Sequence, residues 1–413
     1  MTAADTPQPV ERGELGTLAA RLTTQPDFQA VARALTAAQL TSIDGAWGSA
    51  AAMVVAALSA VAPSTVLVIL PREKELDAWA LDVQTFAGVT PLLFPAWEML
   101  PEELRMSDPI LGSRLRVLKA LEGATPPRIV IATMQALLQP VPSRSRREEA
   151  TQRWRVGDTL DLDAISTWLQ DRGFERVPAV EMPGEFSLRG GILDLFSPDA
   201  SDPVRIELFG DEIDSLRTFS VETQQKLEEL REITLTLISP LKEAGETTDT
   251  LRTEGENLLA SLPTGAWVVL QELDDLQAEG KLYLQRLDDR RGLFSVEATF
   301  AHCQRFGSVQ LAGLVANGYE TTCHLKTQSI ELFVRPKSEA LAELAEAAGR
   351  DESILIACHN EAARLRLAEL LAESAPDLVN RVQLGLGHVS RGFRLIAIDD
   401  DTTSPARQQG VPV

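Results

Sequence analysis

The sequence predicts an α/β protein: a parallel-sheet unit, a small α+β unit inserted into it, and a second, small α/β unit after it. Three observations support this prediction. Residues 14–140 alternate short apolar runs with amphipathic helical stretches, a pattern typical of a parallel sheet covered by helices on both faces. From about residue 154 to 238, strand-like segments separated by glycine-containing turns replace that pattern. The α/β alternation returns at Thr264 and recurs beyond Lys326.

In the first unit, strands are expected at short apolar runs and helices where apolar residues recur at spacings of three or four. The predicted strands are 40–43, 65–70 and 128–132, and the predicted helices are 50–61, 72–86 and 111–121. Residues 140–145 contain prolines and are predicted to be a linker, and the arginine-rich stretch after them, up to Arg155, is expected to be a solvated face.

The inserted unit is expected to contain one helix, 162–172, and strands at 192–196 and 204–209, the second followed by a turn at Gly210-Asp211. A further strand of the parallel sheet is expected at 267–270. The last unit is predicted from helices at 339–348 and 361–371 and strands at 354–357 and 394–398. The chain therefore divides into 1–146 (first part of the parallel-sheet unit), 147–235 (insertion), 236–328 (second part) and 329–413 (last unit).

The composition favours a protein partner over nucleic acid. The net charge is −21, from 39 Lys and Arg against 60 Asp and Glu, and nucleic-acid affinity comes mainly from cations that neutralise phosphates. Little or no direct DNA binding is therefore expected. No apolar run approaches the roughly 20 residues of a membrane span, so no membrane partner is expected. Residues 1–13 are polar and acidic without the order of a signal peptide, so the cytoplasm is the expected location.

Each of the three cysteines has a histidine neighbour: His302-Cys303, Cys323-His324 and Cys358-His359. Adjacent residues of a strand point to opposite faces, so such a pair offers a metal only one ligand. The separations between the pairs also match no structural zinc spacing. No metal site is expected.

The loop after the first predicted strand has the outline of a phosphate-binding loop, G-x-x-x-x-G-K-[ST], without its chemistry. Gly45 fits the first position, but Ala50 stands in the second glycine position, Ala51 in the lysine position and Ala52 in the hydroxyl position. The lysine normally reaches the β- and γ-phosphates and the hydroxyl ligates Mg²⁺, and alanine does neither. Taken by itself, the segment is also compatible with an ordinary glycine turn before an alanine-rich helix. No cofactor site is expected in this sequence.

Two long motifs in the insertion carry a family resemblance. The first runs from Pro183 to Phe196 and contains Arg189-Gly190-Gly191, and the second runs from Arg205 to Arg217. Together they closely resemble the second domain shared by the UvrB repair helicase and the bacterial transcription-repair coupling factors (the Mfd family). The resemblance spans most of residues 30–240. It is specific, because both long motifs occur in the same order and at a matching distance.

Two departures favour the coupling factors over UvrB. UvrB has an intact phosphate loop, and it carries a long aromatic hairpin where this sequence passes from Phe94 to the helix at Leu111 in under twenty residues. Phe94-Pro95-Ala96-Trp97-Glu98 with Ser113-Arg114-Leu115 also resembles the coupling factors more closely. The sequence is therefore similar to their N-terminal, UvrB-like module. The resemblance implies a degenerate helicase-like (P-loop type) fold for the parallel-sheet unit and a UvrA-binding α+β unit inserted into it.

Members of that family continue into a domain that binds RNA polymerase and a translocase motor with its own phosphate loop. No G-x-x-x-x-G-K-[ST] occurs in these 413 residues, and the sequence ends at Val413 after a strand-like stretch, so we interpret it as a fragment without the motor. The resemblance implies that the fragment is not an enzyme and that ATP and Mg²⁺ belong to the absent motor. The expected partners are UvrA and the rest of the full-length chain, with RNA polymerase bound only through absent domains.

The resemblance also implies a UvrA-binding surface that includes Arg189, Arg205 and Phe209, with Arg176 and Glu207 as weaker candidates from the UvrB side. Arg205, Glu207 and Phe209 alternate along one predicted strand and are expected to share a face, with Arg189 on a neighbouring strand. Arginines beside an aromatic are typical of binding hot spots. Arg189→Ala and Arg205→Glu are each expected to weaken UvrA binding by more than about 1 kcal/mol without unfolding the chain.

Two alternatives remain open. A UvrB-like, ATP-dependent DNA repair helicase subunit would bind ATP and hydrolyse it in response to DNA. The other alternative is an unrelated acidic α/β enzyme, against which the two long motifs argue. Asp399-Asp400-Asp401 after an apolar run imitates the acidic end of a nucleotide-binding strand, but without a lysine loop a solvated strand end is expected.

Overall fold

The computed structural model describes residues 14–97, 107–237, 255–315, 318–330 and 353–396, together with part of 342–349. The helices of these ranges are α1 (Glu14–Leu22), α2 (Pro26–Thr36), α3 (Ala50–Val61), α4 (Leu76–Ala87), α5 (Pro109–Glu122), α6 (Met134–Leu138), α7 (Arg144–Glu149), α8 (Leu162–Asp171), α9 (Leu273–Gln285), α10 (Val296–Cys303) and α11 (Glu361–Ser374). Short 3₁₀ turns occur at Glu73–Glu75, Leu258–Ser261 and Pro376–Leu378.

The strands of the described residues fall into two larger sheets and three two-stranded pairs. In chain order they are β1 (Leu40–Asp44), β2 (Val66–Leu70), β3 (Leu92–Phe94), β4 (Ile129–Thr133), β5 (Thr151–Arg155), β6 (Glu175–Arg176), β7 (Glu185–Arg189), β8 (Ile192–Leu195), β9 (Val204–Phe209), β10 (Glu212–Phe219), β11 (Lys226–Leu230), β12 (Glu232–Thr236), β13 (Trp267–Gln271), β14 (Gly307–Leu311), β15 (Thr322–His324), β16 (Thr327–Ser329), β17 (Ile354–Cys358), β18 (Val382–Leu386) and β19 (Phe393–Leu395).

The central sheet has seven strands in the order β15-β1-β14-β13-β2-β4-β3, and every pair in it is parallel. The predicted α/β fold with a large parallel sheet is therefore confirmed. Alternate residues of β2 enter two separate cores, with Val66 and Val68 facing α1 to α4 and Leu67 facing α5, α6, α9 and α10. Burial on both faces explains why β2 and β4 are continuous apolar runs.

The chain leaves this sheet after β4 and returns to it at β13. Between the two, β6 to β11 form a six-stranded sheet in the order β11-β10-β9-β8-β7-β6, antiparallel except for the β6–β7 pair. β5 and β12, at the entry to and the exit from this segment, pair antiparallel with each other. One face of the six-stranded sheet packs with α8 into a third core around Phe186, Leu193 and Ile206.

The prediction that the arginine-rich stretch up to Arg155 is solvated is wrong at Arg147. Arg147, in α7, is buried, and its guanidinium bonds to the Glu122 carboxylate, the Pro142 carbonyl and the Ser261 hydroxyl. Glu122 ends α5 and Ser261 precedes β13, so this arginine ties the predicted linker to both parts of the parallel-sheet unit. Arg144, Arg153 and Arg155 of the same stretch are exposed, which is why the composition alone did not reveal the role of Arg147.

Arg114 joins the two short segments that favoured the coupling factors in the sequence. Its buried guanidinium lies 4.2 Å from the Phe94 ring centroid and 4.1 Å from that of Trp97, and it donates to the Pro95 and Pro140 carbonyls at 2.9 and 3.2 Å. Arg114 therefore connects α5 to the loop after β3 through cation–π contacts and hydrogen bonds.

Arg114→Ala is expected to lower the free energy of unfolding by about 2 kcal/mol, because the variant leaves a cavity and two carbonyls without their donor. Arg116→Ala, at an exposed position of the same helix, is the control and should change it by less than about 0.5 kcal/mol. Urea unfolding measures both. Equal stability of the two variants would show that the junction contributes nothing.

The last unit contains a parallel pair, β17 and β18, joined by α11, and an antiparallel pair, β16 and β19. The strand expected at 394–398 is observed at 393–395. Of the predicted helix at 339–348, residues 342 and 344–347 are described and are helical, whereas Asp399 to Asp401 lie outside the described residues. Within the part of the chain that is described, no helix combines the length and apolarity that crossing a membrane requires.

Candidate functional site

The loop after β1 leads into α3 at the carboxyl edge of the central sheet, the edge at which ligands bind in open α/β sheets. Gly45 and Gly48 both have positive φ, +73° and +58°. Ala50, Ala51 and Ala52 form the first turn of α3 and are buried, Ala51 and Ala52 within the core under α1 to α4. The three alanines of the degenerate loop are therefore interior packing residues.

Backbone N–H groups of Trp47 and Ser49 in this loop are bonded to other parts of the chain. The Ser49 N–H donates to the Arg391 carbonyl at 3.1 Å, and the Trp47 N–H donates to the Thr327 hydroxyl at 3.1 Å. A methyl group at Gly45 would meet the Leu325 carbonyl oxygen at 1.9 Å, so the chain approaches the loop too closely for any side chain there. Residues 325–327 and 388–392 therefore cover the loop.

A buried carboxylate, Asp82 of α4, holds the second of these covering segments. It accepts hydrogen bonds from the Ser49 hydroxyl at 2.6 Å and from the Ser390 N–H at 2.8 Å, and His388 Nδ1 lies 3.1 Å from it. The Arg391 N–H donates in turn to the Ser49 hydroxyl at 3.0 Å. The loop therefore binds a segment of its own chain.

An acidic group at the same edge was missed in the sequence. Glu272 directly follows β13, with φ of +51°, and its carboxylate accepts a hydrogen bond from the Gly313 N–H at 2.8 Å. The apolar run of β13 followed by Gln271-Glu272 was the available signal. The carboxylate is already bonded to the backbone after β14, so it serves here as a link between two strand ends.

The strand argument for the cysteine–histidine pairs holds for Cys323-His324, whereas His302-Cys303 lies at the end of helix α10. Cys323 of β15 is buried in the core, whereas His324 is exposed, with its Nδ1 2.6 Å from an Asp44 carboxylate oxygen. Burial raises the pKa of Cys303 and of Cys323 to about 12, so both are neutral thiols at pH 7. Among the described residues, no group of three metal-ligating side chains comes together.

The second candidate site is the face of the six-stranded sheet that points away from its core. The register puts Asp194 opposite Arg205 and puts Arg217 on the other side of Arg205, so the three side chains share this face. Ile206 and Leu208, the intervening residues of β9, face the core as predicted. Arg189 is at the end of β7, and β8 separates β7 from β9, so Arg189 lies two strands from Arg205 and not on the adjacent strand.

Asp194 connects the two arginines. Its carboxylate accepts hydrogen bonds from Arg205 Nε at 2.6 Å and Nη2 at 2.8 Å, and from Arg189 Nη2 at 3.2 Å. The Asp194 side chain is 1% exposed, that of Arg205 15% and that of Arg189 56%. The Arg205 guanidinium also lies 4.5 Å from the Phe219 ring centroid, and its hydrogen bonds to the Asp194 carboxylate raise the pKa of Arg205.

Phe209 and Glu207 complete this face. Phe209 ends β9 at the β9–β10 turn and is 85% exposed. Glu207 is bonded to Arg217 and to the Ser215 hydroxyl at 2.9 Å, and the Arg217 guanidinium holds the pKa of Glu207 below its usual value. We call Arg189, Asp194, Arg205, Glu207 and Phe209 the arginine–phenylalanine face.

Arg176 does not join this face. It lies in the edge strand β6, and its register partner in β7 is Phe186, whose side chain is in the core on the other side of the sheet. Asp194, by contrast, belongs to the face but was missed in the sequence, because a single acid within the apolar run Ile192 to Phe196 gives no sign of its partners. The sequence did show an acid within a strand-like apolar run, which indicates a buried carboxylate that must be paired, although not with which residues.

The structure changes the expected stability of one variant. Arg205→Glu places a second carboxylate beside the buried Asp194, with only Arg189 left to compensate, and is expected to lower the free energy of unfolding by about 2 kcal/mol. Arg189→Ala leaves the Arg205–Asp194 pair intact and should cost less than about 0.5 kcal/mol. Thermal unfolding of both variants measures the difference, and an Arg205→Glu chain as stable as the parent would contradict it.

Comparison with known proteins bears directly on this segment. Residues 153–240 match the family model described as the UvrB interaction domain. Over 191 residues, 44% of this chain, the sequence is 36% identical to the transcription-repair-coupling factor of Mycobacterium tuberculosis, and over 153 residues, 37% of the chain, it is 36% identical to that of Bacillus subtilis. For the factor of Myxococcus xanthus the identity is 32% over 216 residues, 50% of the chain.

The matched segments cover 15%, 13% and 18% of these three relatives, so the chain corresponds to a minor part of each. The inserted segment with the six-stranded sheet coincides with most of the range that the family model matches. The chain therefore carries a UvrB interaction domain and is related, over about half of its length, to the transcription-repair coupling factors.

Proposed function

We propose that this chain is a non-catalytic module that recruits the repair protein UvrA to stalled RNA polymerase as part of a longer coupling factor. The single observation that carries the proposal is Phe209, 85% exposed at the end of β9 within a UvrB interaction domain, on the strand and sheet face that also carry Arg205. A large exposed aromatic beside arginines is the composition of a binding hot spot, and it has no role in the core of this domain.

The charge of the chain supports a protein partner. Arg189 and Arg205 together carry one positive charge more than Asp194, whereas Glu207 is matched by Arg217 and the face also carries Glu212 opposite Phe209. The positive charge is therefore confined to the two arginines over Asp194, on a chain of net charge −21. Such a pair suits an acidic side chain of a protein. A nucleic acid would meet the repulsive field of the rest of the chain.

The closed loop supports the non-catalytic half of the proposal. If the parallel-sheet unit has a helicase-like fold, the loop after β1 is a nucleotide site that has lost its function. Its lysine and hydroxyl positions are then Ala51 and Ala52, which lie within the core. Work that consumes ATP, and contact with RNA polymerase, would then belong to other parts of the longer protein. The runner-up, a UvrB-like ATP-dependent helicase subunit, requires a loop open to triphosphate.

Calorimetric titration of UvrA with the whole chain tests the proposal. We expect saturable binding with a dissociation constant of about 1 µM or tighter, which corresponds to at least about 8 kcal/mol. If the heat does not saturate at about 100 µM chain, the binding free energy is weaker than about 5.5 kcal/mol, and the proposal is overturned.

A further inference from the structure

The Asp194 carboxylate is buried on the face of the six-stranded sheet opposite the core around Phe186, Leu193 and Ile206. It lies beneath the two arginines and receives three of their N–H groups. A buried carboxylate costs stability unless it is paired, and one arginine is enough to pair it. The second arginine therefore has a use other than neutralisation.

The two arginines are held in different ways. Arg205 gives Asp194 the edge formed by Nε and Nη2, stacks near Phe219 and is largely buried. Arg189 gives only one Nη2 contact, at 3.2 Å, and more than half of its side chain is exposed. Within the described part of the chain, most of the hydrogen-bond donors of Arg189 are therefore left to meet an incoming group.

We propose that Asp194 is a positioning residue for partner binding: it fixes Arg205 as a buried support and aims the exposed guanidinium of Arg189 toward a carboxylate of the partner, beside an apolar pocket for Phe209. This inference rests on the proposed function and names the chemistry of the surface that the face selects. Glu207 does not take this part, because Arg217 and Ser215 occupy its carboxylate.

Positioning and simple charge have opposite consequences for Asp194→Asn. The variant removes a negative charge beneath two arginines, so charge alone would strengthen their binding to an acidic group of the partner. Loss of the Arg205 pair frees both guanidiniums, and a loss of affinity follows if their direction is what matters. Asp214→Asn makes the same change of charge at an exposed position of β10 and is the matched control.

The test is the affinity of UvrA for the whole chain in the parent, Asp194→Asn and Asp214→Asn forms, and for Asp194→Asn in an Arg189→Ala/Arg205→Ala background. We expect Asp194→Asn to lose tenfold or more in affinity, Asp214→Asn to change it by less than twofold, and Asp194→Asn to have less than a twofold effect once both arginines are gone. The coupling to the arginines is the readout that a merely structural residue would not produce.

Unchanged or tighter binding by Asp194→Asn, or the same loss with and without the arginines, overturns the positioning role. In either case binding by the parent chain keeps the proposed function intact, whereas a parent chain that does not bind UvrA overturns the proposed function itself. If Asp194→Asn does not fold, Asp194→Glu replaces it, since it keeps the charge and moves the carboxylate by one methylene. Parental affinity in a folded Asp194→Glu chain overturns the inference, and a tenfold loss supports it.

Discussion

Replacing Ala51 with lysine, the residue that a working phosphate loop carries there, is expected to lower the free energy of unfolding by about 4 kcal/mol and to create no ATP binding. Ala51 is 4% exposed and packs in the core beneath α1 to α4. A lysine at this position overfills the core and buries a charge without a partner. The Ser49 N–H and hydroxyl, which phosphate would need, are bonded to Arg391 and Asp82.

Ala60→Lys, at an exposed position of the same helix, is the control for this substitution and should leave the stability within about 0.5 kcal/mol of the parent. Urea unfolding of both variants, with and without Mg²⁺ and ATP, gives the comparison. Stabilisation of the Ala51→Lys chain, or of an Ala51→Lys/Ala52→Thr chain, by Mg²⁺ and ATP would show that the loop is open and would favour the helicase alternative.

Removing Phe209 and Arg189 together is expected to weaken UvrA binding by more than about 100-fold, about 3 kcal/mol, without a loss of stability. Phe209 is 85% exposed and makes no core contact, and Arg189 leaves the Arg205–Asp194 pair in place when it is truncated. The effect on binding should therefore far exceed the effect on folding. Calorimetric titration and thermal unfolding of the Arg189→Ala/Phe209→Ala chain measure the two quantities.

Leu227→Ala provides a matched control, because Leu227 is another exposed apolar residue of the same six-stranded sheet, in β11. It removes exposed apolar surface without touching the arginine–phenylalanine face, and affinity should stay within about twofold of the parent. Equal losses in the Leu227→Ala and the doubly substituted chains would place the UvrA contact elsewhere on this domain.

The side of the sheet on which Arg205, Glu207 and Phe209 lie could be predicted because side chains alternate along a strand, and the register confirms that Ile206 and Leu208 face the core. The number of strands that separate these residues from Arg189 could not be predicted, because the order of strands in a sheet depends on the whole sheet. β8 lies between β7 and β9, and it brings Asp194 under both arginines. A lone acid in an apolar run carries no information about partners two strands apart.

The loop after β1 shows the same limit. Its missing lysine and hydroxyl are visible in the sequence, and local alternation predicts the strand before it and the helix after it. Its closure is not visible, because the contacts of Ser49 with Ser390 and Arg391 join residues more than three hundred positions apart. Arg147 was misjudged for a similar reason, since Glu122 and Ser261 bury it from distant parts of the chain.

Competition between this chain and UvrB for UvrA tests the central claim most directly. If the arginine–phenylalanine face of this UvrB interaction domain binds UvrA, an excess of the chain should displace labelled UvrB from UvrA without ATP, and the Arg189→Ala/Phe209→Ala chain should fail to displace it. A ternary complex of all three proteins, or displacement by the doubly substituted chain as strong as by the parent, would contradict the account.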